Sequence, residues 1–357
     1  MSSLADRLGR GMRPHSPESG ASSGSWESPE SYCRAIREGD RRAIARAITL
    51  IESTRPEQAA LGQSILEQLV PYTGQGVRVG ITGPPGVGKS TLIEALGLQL
   101  VEQGHRVAVL AVDPSSPVTG GSILGDKTRM ERLASLPAAY IRPSPSGGSL
   151  GGVAHRTREV MLLCEAAGYD VVLIETVGIG QSEVTVASMV DFFLVLLLPG
   201  GGDQLQGIKR GVMELADCLA VNKADGAMRA VAERTRGEYA GALQLIRPTT
   251  ASWLPRALLV SALEATGVGE LWAAIGEHRA ALEASGELDT RRRAQNREWM
   301  WSLVDQGLRH AMNADAAVAQ RVAEFEEDVQ SQKRTPAAAA QDLLAIFRPG
   351  KPGEGEQ

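Results

Sequence analysis

The feature that most constrains the fold of this chain is the segment Gly83-Pro-Pro-Gly-Val-Gly-Lys89-Ser90. It matches the pattern G-x-x-x-x-G-K-[ST], in which glycines let the backbone wrap the oxygens of a triphosphate at the start of a helix. The context fits, because Val77–Thr82 predicts a short buried strand before the loop and residues 90–100 predict a helix after it. Lys89 is expected to reach the β- and γ-phosphates, and Ser90 to ligate Mg²⁺. The candidate phosphate-binding residues are Gly83, Pro84, Pro85, Gly86, Val87, Gly88, Lys89, Ser90 and Thr91.

Composition limits the class of protein. The 357 residues suggest about two domains, and a hydrophobic content of 43% with only 4% aromatics predicts an aliphatic core. The net charge of −5 gives no indication of a nucleic-acid partner, and no apolar run reaches the roughly eighteen residues of a membrane span. The three cysteines are widely spaced and form no C-x-x-C pair. They indicate a reducing compartment, and we expect a cytoplasmic protein.

The chain divides into five segments by composition. Residues 1–29 are rich in Ser, Gly and Pro and predict a disordered tail, and residues 30–75 have helical periodicity. Residues 76–289 alternate apolar strands with helices and form the predicted nucleotide domain. Residues 290–347 predict a C-terminal helical arm, and residues 348–357 a flexible tail.

The nucleotide domain contains further apolar, β-branched stretches. Uninterrupted apolar runs of this kind suit strands that are covered on both faces, so we expect a mainly parallel sheet flanked by helices. The predicted strands after Val77–Thr82 are 106–113, 139–142, 169–175, 192–198, 218–222 and 257–261.

A second motif indicates the base of the nucleotide. Asn222-Lys223-Ala224-Asp225 follows a predicted strand, and an Asp in this pattern accepts two N–H bonds from guanine, which adenine cannot supply. A site built for such hydrogen bonds rejects the analogue that lacks them. The later run Val260-Ser261-Ala262-Leu263 places the N–H of Ala262 where it could bond guanine O6. The candidate base-binding residues are Asn222, Lys223, Asp225, Ser261, Ala262 and Leu263.

Acidic residues at strand ends are the candidate metal ligands. Glu175-Thr-Val-Gly178 ends a strand, so Glu175 is expected to hold Mg²⁺ or its water and the N–H of Gly178 to contact the γ-phosphate. Asp113 also ends a strand, and Asp126 lies in the Gly-rich loop that follows; hard Mg²⁺ prefers such carboxylate oxygens. The candidate catalytic residues are Lys89, Asp113, Asp126 and Glu175, and the candidate metal ligands are Ser90, Asp113, Asp126 and Glu175.

Two further features concern regulation. Ile179 stands where small signalling GTPases carry a water-orienting Gln, which predicts slow intrinsic hydrolysis. The segment 199–211 has three glycines after a strand and then charged residues, among them Asp203 and Lys209. Functional loops concentrate at the carboxyl ends of strands, so this segment is a candidate functional loop, with a plain flexible connection as the alternative.

The arm shows two apolar stripes with helical spacing. An apolar stripe without a partner in its own chain would be exposed, which soluble monomers avoid, so we expect a homodimer through residues after about 290. Folding of the arm back onto its own domain is the alternative. The first stripe is Trp299, Leu303, Leu308 and Met312, and the second is Val318, Val322, Phe325 and Val329.

Together these motifs resemble the MeaB/ArgK-type G-protein chaperones, whose human relative is the methylmalonic aciduria type A protein. The resemblance covers roughly residues 30–345. Its motifs are 83–90, 112–117, 120–129, 175–182, 199–211 and 222–225.

The resemblance implies an α/β P-loop GTPase with a mainly parallel sheet, an N-terminal helical segment and a C-terminal helical dimerisation arm. It implies that GTP and Mg²⁺ are bound, with Lys89, Ser90, Asp113, Asp126 and Glu175 at the family's Mg²⁺-GTP positions. The implied partner is an adenosylcobalamin-dependent acyl-CoA mutase such as methylmalonyl-CoA mutase, which the chaperone protects and whose cofactor loading it gates. An adenosyltransferase is a further partner that the resemblance allows.

Two other functions stay open on the sequence. The ArgK name carries the idea of a kinase that phosphorylates a periplasmic binding protein, although no acceptor-activating Asp stands as in a protein kinase catalytic loop. A GTPase that inserts metal into another enzyme is the second alternative. Relatives of that kind often carry His- or Cys-rich stretches, and this chain has none.

Overall fold

The computed structural model describes residues 26, 28–112, 130–142, 150–176, 182–200 and 210–347. Contacts divide the chain into two compact units, Met1–Arg292 and Arg293–Gln357. The motifs singled out above fall within the first unit. Several of their residues lie outside the described part of the chain.

In the described part of the chain, three helices precede the sheet: α1 (Pro29–Arg37), α2 (Arg41–Ile51) and α3 (Pro56–Leu69). The first two begin where the sequence supplies caps. Ser28 forms a capping box with Ser31, and the Asp40 carboxylate accepts the N–H groups of Arg42 and Ala43. The apolar faces of these helices are buried, and a 3₁₀ turn at Val70–Tyr72 leads towards the sheet.

The sheet has seven strands in the order β3-β2-β4-β1-β5-β6-β7. Every pairing between neighbouring strands is parallel, which confirms the predicted α/β fold class. The strands are β1 (Val77–Thr82), β2 (Val107–Val112), β3 (Ala139–Arg142), β4 (Val171–Thr176), β5 (Phe192–Leu197), β6 (Cys218–Val221) and β7 (Arg256–Leu259).

Helices cover both faces of the sheet and explain the unbroken apolar runs. Along β4, Val172 and Ile174 enter one hydrophobic cluster, while Val171 and Leu173 enter the cluster on the other face. The helices of this part are α4 (Lys89–Glu102), α5 (Glu131–Ala134), α6 (Leu150–Ala166), α7 (Ser182–Ala187), α8 (Arg210–Leu215), α9 (Arg229–Leu243) and α10 (Val268–Ser285).

The parallel topology places the motifs at one edge. All strands end at the same side of the sheet, so the loop after β1, Glu175 near the end of β4 and Asn222 directly after β6 meet at the carboxyl edge. This is the edge where ligands bind in open α/β sheets.

The last three helices are α11 (Glu287–Ala314), α12 (Ala316–Gln330) and α13 (Pro336–Ile346). Pro336 occupies the first turn of α13 behind the cap residue Thr335, a position that suits proline. Val318 and Phe325 of the predicted second stripe are buried. Among the described residues, no helix combines the length and apolar character needed to cross a membrane.

Candidate nucleotide site

The loop between β1 and α4 takes a path that only glycine can follow at two positions. Gly83 has φ of 148° and Gly88 has φ of 96°. A Cβ on Gly83 would stand 2.6 Å from the Leu196 carbonyl oxygen, and one on Gly88 would stand 2.7 Å from Nδ2 of Asn222. The glycines therefore let this loop pack closely against β5 and against the base motif.

The helix that follows offers its N-terminus to the loop. Gly88 stands at the N-cap of α4 and has no side chain with which to cap it. The first N–H groups of a helix lack intrahelical acceptors and carry a partial positive charge, which suits an anion. The backbone geometry thus fits the phosphates that the sequence predicts.

Lys89 lies folded onto its own loop. Its Nζ donates to the carbonyl oxygens of Gly83 at 2.8 Å and Pro84 at 3.3 Å. Burial lowers the pKa of this ammonium, while the charges of Glu175 and Glu183 act in the opposite direction. A buried cation held by backbone carbonyls of a phosphate loop can exchange those acceptors for the stronger ones of a triphosphate.

Ser90 and Glu175 meet across the site. Ser90 Oγ donates to Oε1 of Glu175 at 2.9 Å, and the Glu175 side chain is buried. A hydroxyl and a carboxylate are the hard oxygen donors that Mg²⁺ prefers, so this pair fits the predicted cation. Asp113, Asp126 and Gly178, the other predicted contacts to metal or phosphate, lie outside the described residues, as does Ile179. Within the described part, no three His, Cys, Asp or Glu side chains are grouped to hold a metal.

The base motif is tied to the phosphate loop by one side chain. Asn222 is buried, its Nδ2 donates to the Val87 carbonyl at 2.8 Å, and its Oδ1 accepts the N–H of Ala262 at 3.1 Å. A guanine oxygen at the Ala262 N–H would therefore share that donor with Asn222. Lys223 has φ of 58°, in the left-handed region, and its side chain is exposed.

Asp225 is positioned by the later loop. The hydroxyl of Ser261 donates to Oδ2 of Asp225 in a short hydrogen bond and accepts the N–H of Glu264 at 3.2 Å. Leu263 is exposed beside them. The structure thus brings the two predicted base motifs together, although they are almost forty positions apart in the sequence.

Sequence reasoning missed one contact at this edge. The hydroxyl of Thr176 donates to that of Thr82 at 2.8 Å, and both side chains are buried. The available signal was the position of each threonine at the end of an apolar strand, next to Gly83 and Glu175 respectively.

A parallel sheet, a glycine loop that begins a helix, and an NKxD motif bonded to that loop define a P-loop GTPase. The chain belongs to the MeaB family, since the family model described as methylmalonyl-CoA mutase-associated GTPase MeaB matches residues 44–317. The resemblance drawn from the motifs is therefore confirmed. The fold implies that the chain binds guanine nucleotide.

Relatives of this chain carry related names. A probable GTPase of Mycobacterium tuberculosis is 56% identical over 312 residues, or 87% of this chain and 93% of the relative. The methylmalonic aciduria type A homolog of Mus musculus, named as mitochondrial, is 45% identical over 320 residues, or 87% of this chain and 77% of the relative.

Two further matches carry the ArgK or kinase name. The GTPase ArgK of Escherichia coli is 54% identical over 267 residues, which cover 75% of this chain and 81% of the relative. The crystal structure of a LAO/AO transport system kinase matches with a TM-score of 0.74 and 39% identity, and covers 91% of this chain and 99% of that one.

Proposed function

We propose that this protein hydrolyses GTP to GDP and phosphate in order to gate adenosylcobalamin loading into an acyl-CoA mutase and to protect that mutase. The client would be methylmalonyl-CoA mutase or a related enzyme. The observation that carries the GTPase part is the bonding of Asn222 to both Val87 and Ala262, which joins phosphate and base recognition in one site. The family description supports the mutase part.

Each residue at the carboxyl edge has a distinct proposed role. The N-terminus of α4 and Lys89 hold the phosphates, while Asp225 reads guanine. Ser90 and Glu175 hold Mg²⁺, with Asp113 and Asp126 as further ligands and Gly178 as a γ-phosphate contact. Mg²⁺, when bound, supplies a positive charge that offsets the charge of the β- and γ-phosphate oxygens.

We further propose that the client completes the catalytic site. Ile179 cannot orient a water molecule, so intrinsic hydrolysis is expected to be slow. A partner that supplies or orders a missing group can stimulate a GTPase by about 10³–10⁵-fold. We assign the sensing of the mutase to the segment 199–211, with Asp203 and Lys209 as the residues that relay contact.

Phosphate release tests this function. The full-length protein is incubated with GTP, with and without each candidate mutase, and both free phosphate and phosphoprotein are measured. Stimulated release of free phosphate by one mutase is expected, and Lys209→Ala should reduce that stimulation while basal hydrolysis stays nearly intact. Phosphoprotein formed with a binding protein would instead support the kinase function that the name of the structural relative suggests.

The proposed homodimer rests on the surface of α11. Met300, Trp301, Val304 and Leu308 are exposed and lie within about 100° of one another around the helix. Of the expected stripe, Leu303 and Leu308 are exposed, whereas Trp299 and Met312 are half-buried. The apolar side chains would be covered by a second copy.

Light scattering at micromolar concentrations tests the dimer. The native protein is expected to have the mass of a dimer, and Val304→Asp the mass of a monomer, because a charge would be placed in the covered stripe. Gln306→Asp is the matched control, since Gln306 is exposed on the opposite side of the helix. A native monomer, or dimers in both variants, would contradict this interface.

A further inference from the structure

Two consecutive residues of β4 hold both ends of the phosphate loop. Glu175 accepts the hydroxyl of Ser90 at 2.9 Å, at the end of the loop where α4 begins. Thr176 donates its hydroxyl to that of Thr82 at 2.8 Å, at the end where β1 stops. The loop is therefore closed into a ring by two hydrogen bonds to one dipeptide.

The threonine bond lies where the two strands stop pairing. The last backbone pair between β1 and β4 is Ile81 with Glu175. One position further on, Thr82 pairs with Val195 of β5, and Thr176 pairs with Val112 of β2. The two hydroxyls thus add a side-chain link between β1 and β4 at the carboxyl edge of the sheet.

The hydrogen bond between Thr82 and Thr176 is buried, which makes it costly to break. Thr82 is 1% exposed and Thr176 is 0% exposed. A buried hydroxyl that loses its partner keeps the full cost of its desolvation, so the pair strongly favours the bonded arrangement. The Thr176 hydroxyl is attached to the residue after Glu175, and holding it also limits where the Glu175 carboxylate can lie.

The two bonds differ in what a bound cation would do to them. Ser90 Oγ and the Glu175 carboxylate are the oxygens proposed for Mg²⁺, so the bond between them competes with the cation. The Thr82–Thr176 bond uses neither oxygen. This bond can therefore persist with or without bound Mg²⁺. It keeps the position of the Glu175 backbone fixed relative to the phosphate loop.

We propose that Thr82 and Thr176 are a positioning pair that holds the Glu175 carboxylate in register with the phosphate loop, and so tunes the affinity of the site for Mg²⁺-nucleotide. This inference rests on the Mg²⁺ role of Glu175 in the proposed function. In this proposal the pair supplies no atom to phosphate or cation and acts through Glu175. Residues that orient a metal ligand in this way contribute to metal affinity although they donate no ligand atom.

Nucleotide binding at varied Mg²⁺ tests the proposal. A fluorescent GDP or a non-hydrolysable fluorescent GTP analogue is titrated into the full-length protein with excess EDTA and over a series of Mg²⁺ concentrations. Thr176→Val keeps the shape and removes the hydroxyl. It is expected to raise the Mg²⁺ concentration for half-maximal tight binding by roughly 10–100-fold. Affinity in EDTA should stay at the native value, because the loop and base contacts are intact.

Three variants separate positioning from general destabilisation. Thr176→Ser keeps the hydroxyl and should restore the native Mg²⁺ dependence. Thr157→Val removes another buried hydroxyl, which bonds the Val153 carbonyl within α6 at 2.8 Å, and should leave Mg²⁺ dependence unchanged. Thr82→Val removes the other partner of the pair and serves as the second route if Thr176→Val does not fold. The double variant should be no worse than the more affected single variant, because both remove the same bond.

The results can overturn this inference without overturning the proposed function. If Glu175→Gln shifts the Mg²⁺ dependence and neither threonine variant does, the threonine pair is not a positioning pair. Equal losses of affinity with and without Mg²⁺ in Thr176→Val would reject it as well. If Glu175→Gln itself leaves Mg²⁺ dependence unchanged, the proposed metal role of Glu175 and the inference built on it both fail.

Discussion

The two edges of the sheet hold their polar groups in different ways. At the carboxyl edge, hydroxyls, an amide and one ammonium form hydrogen bonds within the candidate site, as Ser90 does with Glu175 and Lys89 with Gly83. At the amino edge, the described residues include three buried or mostly buried ion pairs that join distant parts of the first unit. They are Arg78–Glu165, Arg292–Asp191 and Arg291–Asp217.

Two of these ion pairs carry several hydrogen bonds each. Arg78 donates to Glu165 from Nε at 2.7 Å and from Nη2 at 2.9 Å. Asp191 accepts Arg292 Nε at 2.8 Å, Arg292 Nη2 at 2.6 Å and the N–H of Arg78 at 3.2 Å. Burial acts to raise the pKa of Asp191, but the hydrogen bonds and charge of Arg292 outweigh it and hold that pKa below its ordinary value.

This difference between the two edges explains how the same sheet can be stable and still bind and release a ligand. Charges that are buried and fully paired resist rearrangement, because separating them leaves an uncompensated charge. At the carboxyl edge, the partners of Lys89 and Ser90 are groups of the site itself, and a nucleotide with its cation could replace them. We therefore expect substitutions at the amino edge to change stability and substitutions at the carboxyl edge to change binding and turnover.

The largest effect is expected at Asp225. A carboxylate that accepts two guanine N–H groups should favour GTP over ATP by on the order of 10⁴. Asp225→Asn should lose this preference and gain xanthine nucleotides, because xanthine presents a carbonyl where guanine presents a donor. Competition binding with GTP, ATP and a xanthine nucleotide measures this preference, and equal affinity of the native protein for GTP and ATP would contradict the assignment. The thermal stability of the variant should stay near that of the native protein, because Asp225 lies at the carboxyl edge, where substitutions are expected to change binding.

Asp191→Ala should lower the stability of the protein and leave nucleotide hydrolysis unchanged, the opposite of Asp225→Asn. Removing one partner of a buried pair leaves Arg292 uncompensated, which costs about 3–5 kcal/mol in the free energy of unfolding. Urea unfolding measures this loss, and hydrolysis per folded molecule should be unchanged. Glu233→Ala is the control, because its pair with Arg229 is exposed and such pairs contribute only about 0–1 kcal/mol. A strong loss of turnover in folded Asp191→Ala would contradict the division of roles between the two edges.

Lys89→Ala should abolish most turnover without unfolding the protein. The ammonium bonds only carbonyls of its own loop among the hydrogen bonds of the described residues, so its removal should leave the unfolding midpoint close to native. Loss of one charged donor to the transition state typically costs about 10²–10³-fold in rate. Steady-state phosphate release checks the rate, and thermal unfolding checks the fold. Native turnover in this variant would reject the phosphate role of the loop.

The sequence predicted what is encoded in contiguous residues. The phosphate loop and the NKxD motif each lie within eight residues, and apolar runs of strand length indicated the sheet. The motif-based resemblance also predicted the family. Strand boundaries shifted by up to two residues: Tyr169 and Asp170 precede β4, and Ser261 lies beyond β7 in an isolated bridge with Thr266.

The missed features depend on residues that are far apart in the sequence. Arg78 and Glu165 are separated by 87 positions, Arg292 and Asp191 by 101, and Thr82 and Thr176 by 94. Only the folded arrangement of strands and helices brings such residues together, and a charged residue beside an apolar run does not indicate its partner. Arg292 was assigned to the arm by composition, yet it pairs with Asp191 in the first unit.

The smallest expected effect is at Glu287, on the amino side of the sheet. Its carboxylate accepts the hydroxyl of Ser252, the N–H of Ala251 at 2.9 Å, the N–H of Ser252 at 3.0 Å and the hydroxyl of Ser285 at 3.2 Å. The hydrogen bond from the Ser252 hydroxyl is the main cause that lowers the pKa of Glu287 from 4.5 to about 2. Because the folded pKa is the lower one, the carboxylate stabilises the fold above its ordinary pKa, and this stabilisation is lost as the pH falls from about 4.5 to about 2.

Glu287→Gln should therefore unfold at a slightly lower urea concentration than the native protein at neutral pH, and the difference between the two midpoints should shrink as the pH falls from about 4.5 to about 2. Asp191 keeps its own lowered pKa in both proteins, so the difference between their midpoints isolates Glu287. Glu233 lies on an exposed helix face and serves as the control. The urea midpoint of Glu233→Gln should differ little from the native midpoint, and this difference should not disappear over the same pH range. A difference between native and Glu287→Gln that does not shrink on acidification would mean that the carboxylate charge does not hold this loop. GTP hydrolysis at neutral pH should not change, since Glu287 belongs to the edge that stabilises the sheet and not to the edge that binds the nucleotide.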